Sequence, residues 1–158
     1  MGCKPGDRFC FLVEPGVQFL VCLWAGWLRG LIAVPLCVKH PPEEIEYVLS
    51  NSDPKAVFGC DTSSDKLIQA NQSLQIKTVT YSQDTENSQK YYNWLEHDPA
   101  LMIYTSGTTG RPKAAVHTAG SLSAQVSNIQ SPSVGRKQGL AKSEITKRVS
   151  SFSFGTFL

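Results

Sequence analysis

The chain has 158 residues, 41% of them hydrophobic, and a formal net charge of +2. That suffices for one domain with its own core, and so small a charge implies no nucleic-acid partner. Five cysteines, Cys3, Cys10, Cys22, Cys37 and Cys60, are odd in number and form no CxxC pair or Cys/His cluster. Neither a zinc site nor a disulfide framework is expected, and a reducing compartment fits.

The opening Met1-Gly2-Cys3 invites a lipidation reading, but Gly6 stands where the myristoylation pattern wants Ser or Thr. After the Pro5-Gly6-Asp7 turn, Arg8 to Val13 reads as a buried strand, and Glu14-Pro15-Gly16 breaks it. Val17 to Leu28 is strongly apolar. It is shorter than the roughly 20 residues of a transmembrane span, and Arg29, Gly30 and Pro35 interrupt its extension, so a buried helix and no membrane span are expected. Leu31 to Leu36 reads as a second strand. Strand, helix and strand make a βαβ unit, which implies a parallel sheet.

Pro41-Pro42-Glu43-Glu44 opens the next helix, with prolines at its entry and carboxylates in the first turn. Ile45, Val48 and Leu49 give it one apolar face, Ser50 to Pro54 ends it, and Ala56 to Cys60 is a third short strand. Residues 62–75 read as a helix with Leu67, Ile68 and Leu74 inward, and Ile76 to Tyr81 as a strand. Ser82 to Glu96, with Tyr91, Tyr92 and Trp94, reads as a polar surface connection. Asp98-Pro99 introduces the strand Ala100 to Tyr104; Ala115 to Thr118 is another strand, and Ser121 to Ile129 a helix.

Between those last strands lies Tyr104-Thr105-Ser106-Gly107-Thr108-Thr109-Gly110-Arg111-Pro112-Lys113. Glycines, hydroxyls and a terminal lysine can hold a polyphosphate: successive backbone N–H groups form an anion-binding concavity, hydroxyls donate further bonds and Lys113 adds a compact charge. It is not a Walker loop, because Pro112 precedes Lys113 and Ala114 follows it. The run YTSGTTGRPK resembles the signature phosphate loop of the adenylate-forming (AMP-binding, acyl-CoA synthetase) superfamily. GDRFCFL, the helix to Gly30, AVPL at Ala33 to Leu36, PPEEIEYVLSNSD and AVFGCD follow the order of that family's early pieces. The resemblance spans roughly Pro5 to Val126. The VHT continuation, the Trp24 and Trp27 pair and AVPL look most like the malonyl-CoA synthetase branch.

The resemblance implies an α/β fold: a partial doubly wound, mostly parallel sheet with flanking helices, the incomplete N-terminal domain of an adenylate-forming enzyme. Residues 1–130 are the expected partial AMP-binding domain. Residues 131–158 form a divergent tail, rich in Ser, Gly and Lys, carrying Arg136, Lys137, Lys142, Lys147 and Arg148 against Glu144, for which disorder is the default. The implied reaction is AMP-forming acid–thiol ligation, with a small carboxylic acid, ATP and CoA as substrates and magnesium (Mg2+) accompanying the nucleotide. Thr105, Ser106, Gly107, Thr108, Thr109, Gly110 and Lys113 are the implied nucleotide-phosphate residues. Arg111 is a candidate for holding the loop, and His117 a candidate for contact with acyl group or nucleotide, against the commoner role of a strand-end histidine. No catalytic residue and no metal ligand is assigned.

Two departures from the family pattern stand out: Ala114 where glycine is usual, which matters if φ there is positive, and Ala119-Gly120 in place of a histidine. The later adenine, ribose, hinge and catalytic-lysine motifs are not found, so the chain alone is expected to be inactive. The alternative is a non-catalytic binding or regulatory fragment that associates with a full-length homologue. A cytoplasmic location is expected, or a mitochondrial one if a longer product carries a transit peptide.

Overall fold

The computed structural model describes residues 2–60, 64–79, 91–105 and 110–130. Its elements in chain order are β1 (Arg8–Leu12), α1 (Val17–Leu28), β2 (Ile32–Leu36), α2 (Pro42–Ser52), β3 (Ala56–Gly59), α3 (Ser64–Asn71), β4 (Thr78–Val79), β5 (Pro99–Thr105), β6 (Lys113–Thr118) and α4 (Ala119–Gln130). The strands form one sheet in the order β4-β3-β1-β2-β5-β6. All neighbours pair in parallel except β5 and β6, which are antiparallel. This is the α/β, mostly parallel arrangement the βαβ reading implied.

Both faces of the sheet are covered at β1, β2 and β3, which is why β1 reads as a continuous apolar run rather than an alternation. Phe9, Phe11, Val13, Ala33, Ala56 and Phe58 pack with Cys22, Phe19, Leu23 and Trp27 of α1. Cys10, Leu12, Val34, Leu36 and Val57 pack on the other side with Ile45, Val48 and Leu49 of α2 and Leu67 and Ala70 of α3. Odd and even positions of β1 thus serve separate cores, as the period of two in a strand requires. Burying each such large side chain contributes about 1.5 to 3 kcal/mol.

Helix ends are set by local chemistry. At the end of α1 the Leu31 N–H reaches Gly26 O at 2.9 Å and the Gly30 N–H reaches Trp27 O at 3.0 Å, with Gly30 at φ +72°. That is a Schellman cap, which needs a residue at ease in the left-handed region. α2 begins on Pro41 and Pro42 with Glu43 and Glu44 in its first turn, and it runs to Ser52 before Asp53 turns left-handed at φ 44°. Arg8 closes that end: Nε donates to Ser52 O at 2.9 Å, and Nη2 to Asp53 O at 2.6 Å and Asp53 Oδ2 at 2.8 Å. A cation is well placed against the carbonyls that a helix C-terminus leaves unpaired.

Three expectations are corrected. α1 is not buried all round: Val17 is 64% and Leu20 53% exposed, because only the face carrying Cys22 and Gly26 meets the sheet. In α3, Leu67 and Ala70, three residues apart on one face, turn inward, and Ile68 is 58% exposed. Residues 91–98 are no loose surface connection. Tyr92 N donates to Leu28 O at 3.0 Å and Trp94 Nε1 to Trp27 O at 2.9 Å, so the segment is bonded to the end of α1, which is bonded in turn to β5 through Trp27 Nε1 and Ala100 O at 2.7 Å. The rest of that stretch, 82–90, lies outside the described residues, as do Thr80 and Tyr81 of the expected fourth strand and the whole tail 131–158. Among the described residues no helix is long and apolar enough to cross a membrane.

Candidate functional site

β5 is parallel to β2 and leads out of the sheet at its carboxyl edge, where open α/β sheets bind their ligands. The chain returns as β6. Pairing runs from Leu101↔His117 through Met102↔Val116, Ile103↔Ala115 and Tyr104↔Ala114 to Thr105↔Lys113, so residues 106–112 span the end of a hairpin. Directly opposed residues share a face, which brings Thr105 and Lys113 together at the mouth of the loop. Both are exposed, as are Gly110 and Arg111.

Gly110 has φ +88°, and a Cβ built there would meet nothing within 4 Å. The backbone is therefore open to close approach by an anion. Ser106, Gly107, Thr108 and Thr109 lie outside the described residues. Ala114 is regular strand opposite Tyr104 and is absent from the left-handed residues, which among described non-glycines are Asp53 and Gln75. Its Cβ carries no strain. His117 is half-buried opposite Leu101, four pairs from the loop, or roughly 13 Å along the strand. The hairpin does not bring it beside Lys113.

Tyr104, Arg111 and Pro112, the described residues on either side of 106–109, rest against α2. Tyr104 donates its hydroxyl to Asn51 Oδ1 at 2.7 Å. Tyr47 donates to Pro112 O at 3.2 Å, and the Arg111 guanidinium carbon lies 5.9 Å from the centre of the Tyr47 ring. Such a cation–π contact contributes about 0.5 to 1 kcal/mol at an exposed position. Burial, with Cys10 and Tyr47 adding to it, pushes the Tyr104 hydroxyl above its ordinary value. Tyr47 and Asn51 were not among the residues singled out from the sequence. Their i, i+4 spacing beside the apolar face of α2 was the available signal, and it could not show which segment they would meet.

The strand after the loop leads directly into α4. Thr118 caps it, its Oγ1 accepting from Ser121 N at 3.2 Å. Gly120 N donates to Glu96 O at 2.9 Å, and a Cβ at Gly120 would stand 2.9 Å from that same oxygen. The contact with residues 94–96 explains a glycine here in place of a larger residue. Among the described residues no group of three or more His, Cys, Asp and Glu side chains could hold a metal ion.

The family described as AMP-binding enzyme matches residues 1–154. The chain belongs to that family. Among curated relatives of this AMP-binding chain, the mitochondrial malonate–CoA ligase of Xenopus laevis is 37% identical over 123 residues, covering 71% of this chain and 21% of the relative. The malonate–CoA ligase of Arabidopsis thaliana is 31% identical over 138 residues, covering 79% and 23%. ATP-bound MatB from Rhodopseudomonas palustris superposes with a TM-score of 0.71 at 23% identity, over 81% of this chain and 28% of that one. A fatty acyl-adenylate ligase from L. pneumophila, in complex with acyl adenylate and pyrophosphate, gives 0.68 at 26% identity over 81% and 23%. The AMP-binding chain thus spans between a fifth and a quarter of these two curated relatives, and its fold is that of the N-terminal region of adenylate-forming enzymes.

Proposed function

We propose that this chain carries the polyphosphate-binding part of an AMP-forming acid–thiol ligase of the malonyl-CoA synthetase type. The observation that carries the reading is the hairpin: Thr105 pairs with Lys113 at the mouth of a Gly- and Thr-rich loop at the carboxyl edge of the sheet, in a chain of the AMP-binding family. In the reaction a carboxylate attacks the α-phosphate of ATP, pyrophosphate leaves, and a thiol then displaces AMP from the acyl-adenylate. Negative charge grows on the departing pyrophosphate, so fixed donors and cations around it lower the barrier.

The described residues fit a polyphosphate. Gly110 leaves its backbone open, Lys113 is an exposed cation, and Thr105 is paired with it. In this reading Ser106, Gly107, Thr108 and Thr109 add hydroxyl and backbone donors, and Arg111 holds the loop. His117 is proposed as a strand histidine rather than a ligand contact, given its distance from the loop. Magnesium and CoA find no comparable set among the described residues and rest on family membership alone. The malonate–CoA ligase names of the relatives support malonate or another small dicarboxylate as the acid, and the mitochondrial name of the Xenopus relative supports the mitochondrial location over the cytoplasmic one. The division into a domain at 1–130 and a tail at 131–158 is kept as a proposal from composition; the family match itself runs on to residue 154.

The chain alone is proposed to bind polyphosphate without completing the reaction. Isothermal calorimetry with ATP and with pyrophosphate, beside malonate-dependent ATP–pyrophosphate exchange, tests both parts. Binding without exchange is expected, with Lys113→Ala weakening binding about tenfold or more. Absence of binding at millimolar ligand would sink the phosphate-loop assignment, and exchange at high protein concentration would overturn the proposed inactivity. A second reading, a regulatory fragment that docks on a full-length relative, is favoured by the apolar side chains left outside: Val17, Leu20, Val116 and Ile129 are each more than half exposed. Co-elution with such a relative in size-exclusion chromatography is its expected outcome; separate elution at micromolar concentration overturns it.

A further inference from the structure

β1 is paired along its length on both sides, from Arg8↔Ile32 to Leu12↔Leu36 with β2 and from Phe9↔Ala56 to Leu12↔Gly59 with β3. β5 is held differently. Its ladder with β2 is the single pair Ala33↔Leu101, while on its other side it pairs with β6 from Leu101↔His117 to Thr105↔Lys113. Burial divides the chain at the same place. Every buried member of the two cores lies within residues 9–70, and after Ala70 the one buried hydrophobic residue among those described is Ala100. Leu101, Met102 and Tyr104 rest on the cores from outside and stay partly exposed.

Hydrogen bonds cross this seam at both ends of β5. At the carboxyl end they are the tyrosine bonds of Tyr104 to Asn51 and Tyr47 to Pro112. At the amino end Trp94 Nε1 donates to Trp27 O at 2.9 Å, Trp27 Nε1 to Ala100 O at 2.7 Å and Tyr92 N to Leu28 O at 3.0 Å. Residues 96–98 are bonded in turn to α4, through Gly120 N to Glu96 O and Ala119 N to Asp98 O, both at 2.9 Å. Segment, hairpin and helix thus hold to one another.

We propose that β5, β6 and α4, with residues 92–98, are a second cooperative unit of the fold, which comes away from the body of β1, β2, β3 and their helices while that body stays folded, and that the indoles of Trp27 and Trp94 are its latch. Units of this kind open where little apolar surface is buried. The consequence reaches the candidate site, because the hairpin carries Thr105 and Lys113, roughly 17 Å along β5 from the latch at Ala100. The opening itself does not depend on what the hairpin binds.

Native-state amide hydrogen exchange of the full chain in low urea tests the proposal, with Leu101–Tyr104 and Ala114–His117 reporting on the unit and Phe9–Leu12 on the body. The unit's amides are expected to exchange faster, along one line whose urea slope is above zero and below that of β1. Val57→Ala removes packing that persists when only the unit opens, so it should speed β1 tenfold or more and leave the unit's amides unchanged. Trp94→Phe keeps a ring and loses the donor, and its bond is lost in partial opening and full unfolding alike. It should speed both sets by the same factor, roughly fivefold. A rise in the unit's amides with Val57→Ala as large as that in β1 overturns the proposal, since the chain then opens only as a whole. A urea slope of zero at the unit's amides also overturns it, because they then exchange by local fraying. Unchanged rates in Trp94→Phe overturn the latch. Should Val57→Ala not fold, Ile45→Val decides by the same criteria, with a rise of roughly threefold to tenfold confined to β1.

Discussion

Gly30 lies where α1, β2 and residues 91–98 converge. Its φ of +72° is the left-handed cap of α1, and an added Cβ would stand 2.6 Å from Tyr92 Cγ. Gly30→Ala therefore combines backbone strain with displacement of an aromatic ring that also donates to Asp98 Oδ2 at 3.0 Å. Urea denaturation should show a loss of about 2 kcal/mol or more, and a loss below about 0.5 kcal/mol would mean that the Tyr92 contact relaxes freely. The sequence marked Gly30 as the end of a helix, because apolar periodicity stops at Arg29-Gly30. It did not mark Tyr92 as the reason for the tight fit, since a contact across more than sixty positions leaves no local pattern. Tyr47 and Asn51 were hidden for the same reason, whereas Lys113 and Gly110 were legible because their chemistry is written within one short loop.

Among the elements, α1 and α2 were readable nearly to the residue. Pro41 and Pro42, the acidic first turn and the Gly30 cap are local signals that act before any packing. α3 was less so. It has eight residues, Leu67 and Ile68 compete for its inner face, and only contact with α2 decides between them. The consequence is measurable: Leu49→Ala in α2, a site with 0% exposure, should cost about 2 to 5 kcal/mol, while Ile68→Ala, at 58% exposure, should stay within about 0.5 kcal/mol. Equal losses at the two positions would contradict the assignment of faces. β4 is two residues long and is defined by pairing with β3, so no period of two could announce its bounds.

Over the molecule as a whole, two cores lie back to back across one sheet, and each holds a buried thiol. Burial pushes Cys10, packed toward α2, and Cys22, on α1, from an ordinary value of 9.0 up to about 12. The folded state keeps these protons where the unfolded chain has released them. Their contribution to stability is thus complete below pH 9 and is lost as pH rises toward 12. Tyr92 and Tyr104 are raised as well and act in the same direction. The urea midpoint should fall between pH 8.5 and pH 10.5 by less in a Cys10→Ala, Cys22→Ala variant than in the native chain; parallel profiles would refute the assignment. Iodoacetamide should modify exposed Cys37 in the folded protein and reach Cys10 and Cys22 only on unfolding of both cores.

The sequence by itself determined that the chain is α/β, where its main helices begin and end, and that a Gly- and Thr-rich loop with a terminal lysine follows a strand. Turn chemistry, caps and hydrophobic period act over a few residues and can be read without knowing the neighbours. Tertiary structure alone decided that β5 returns beside β2, that β6 runs antiparallel to it, that residues 91–98 bind the end of α1, and that α2 carries both feet of the loop. Those are pairings between distant segments, chosen by which surfaces can be buried together with their polar groups satisfied, and no short stretch of chain contains that choice.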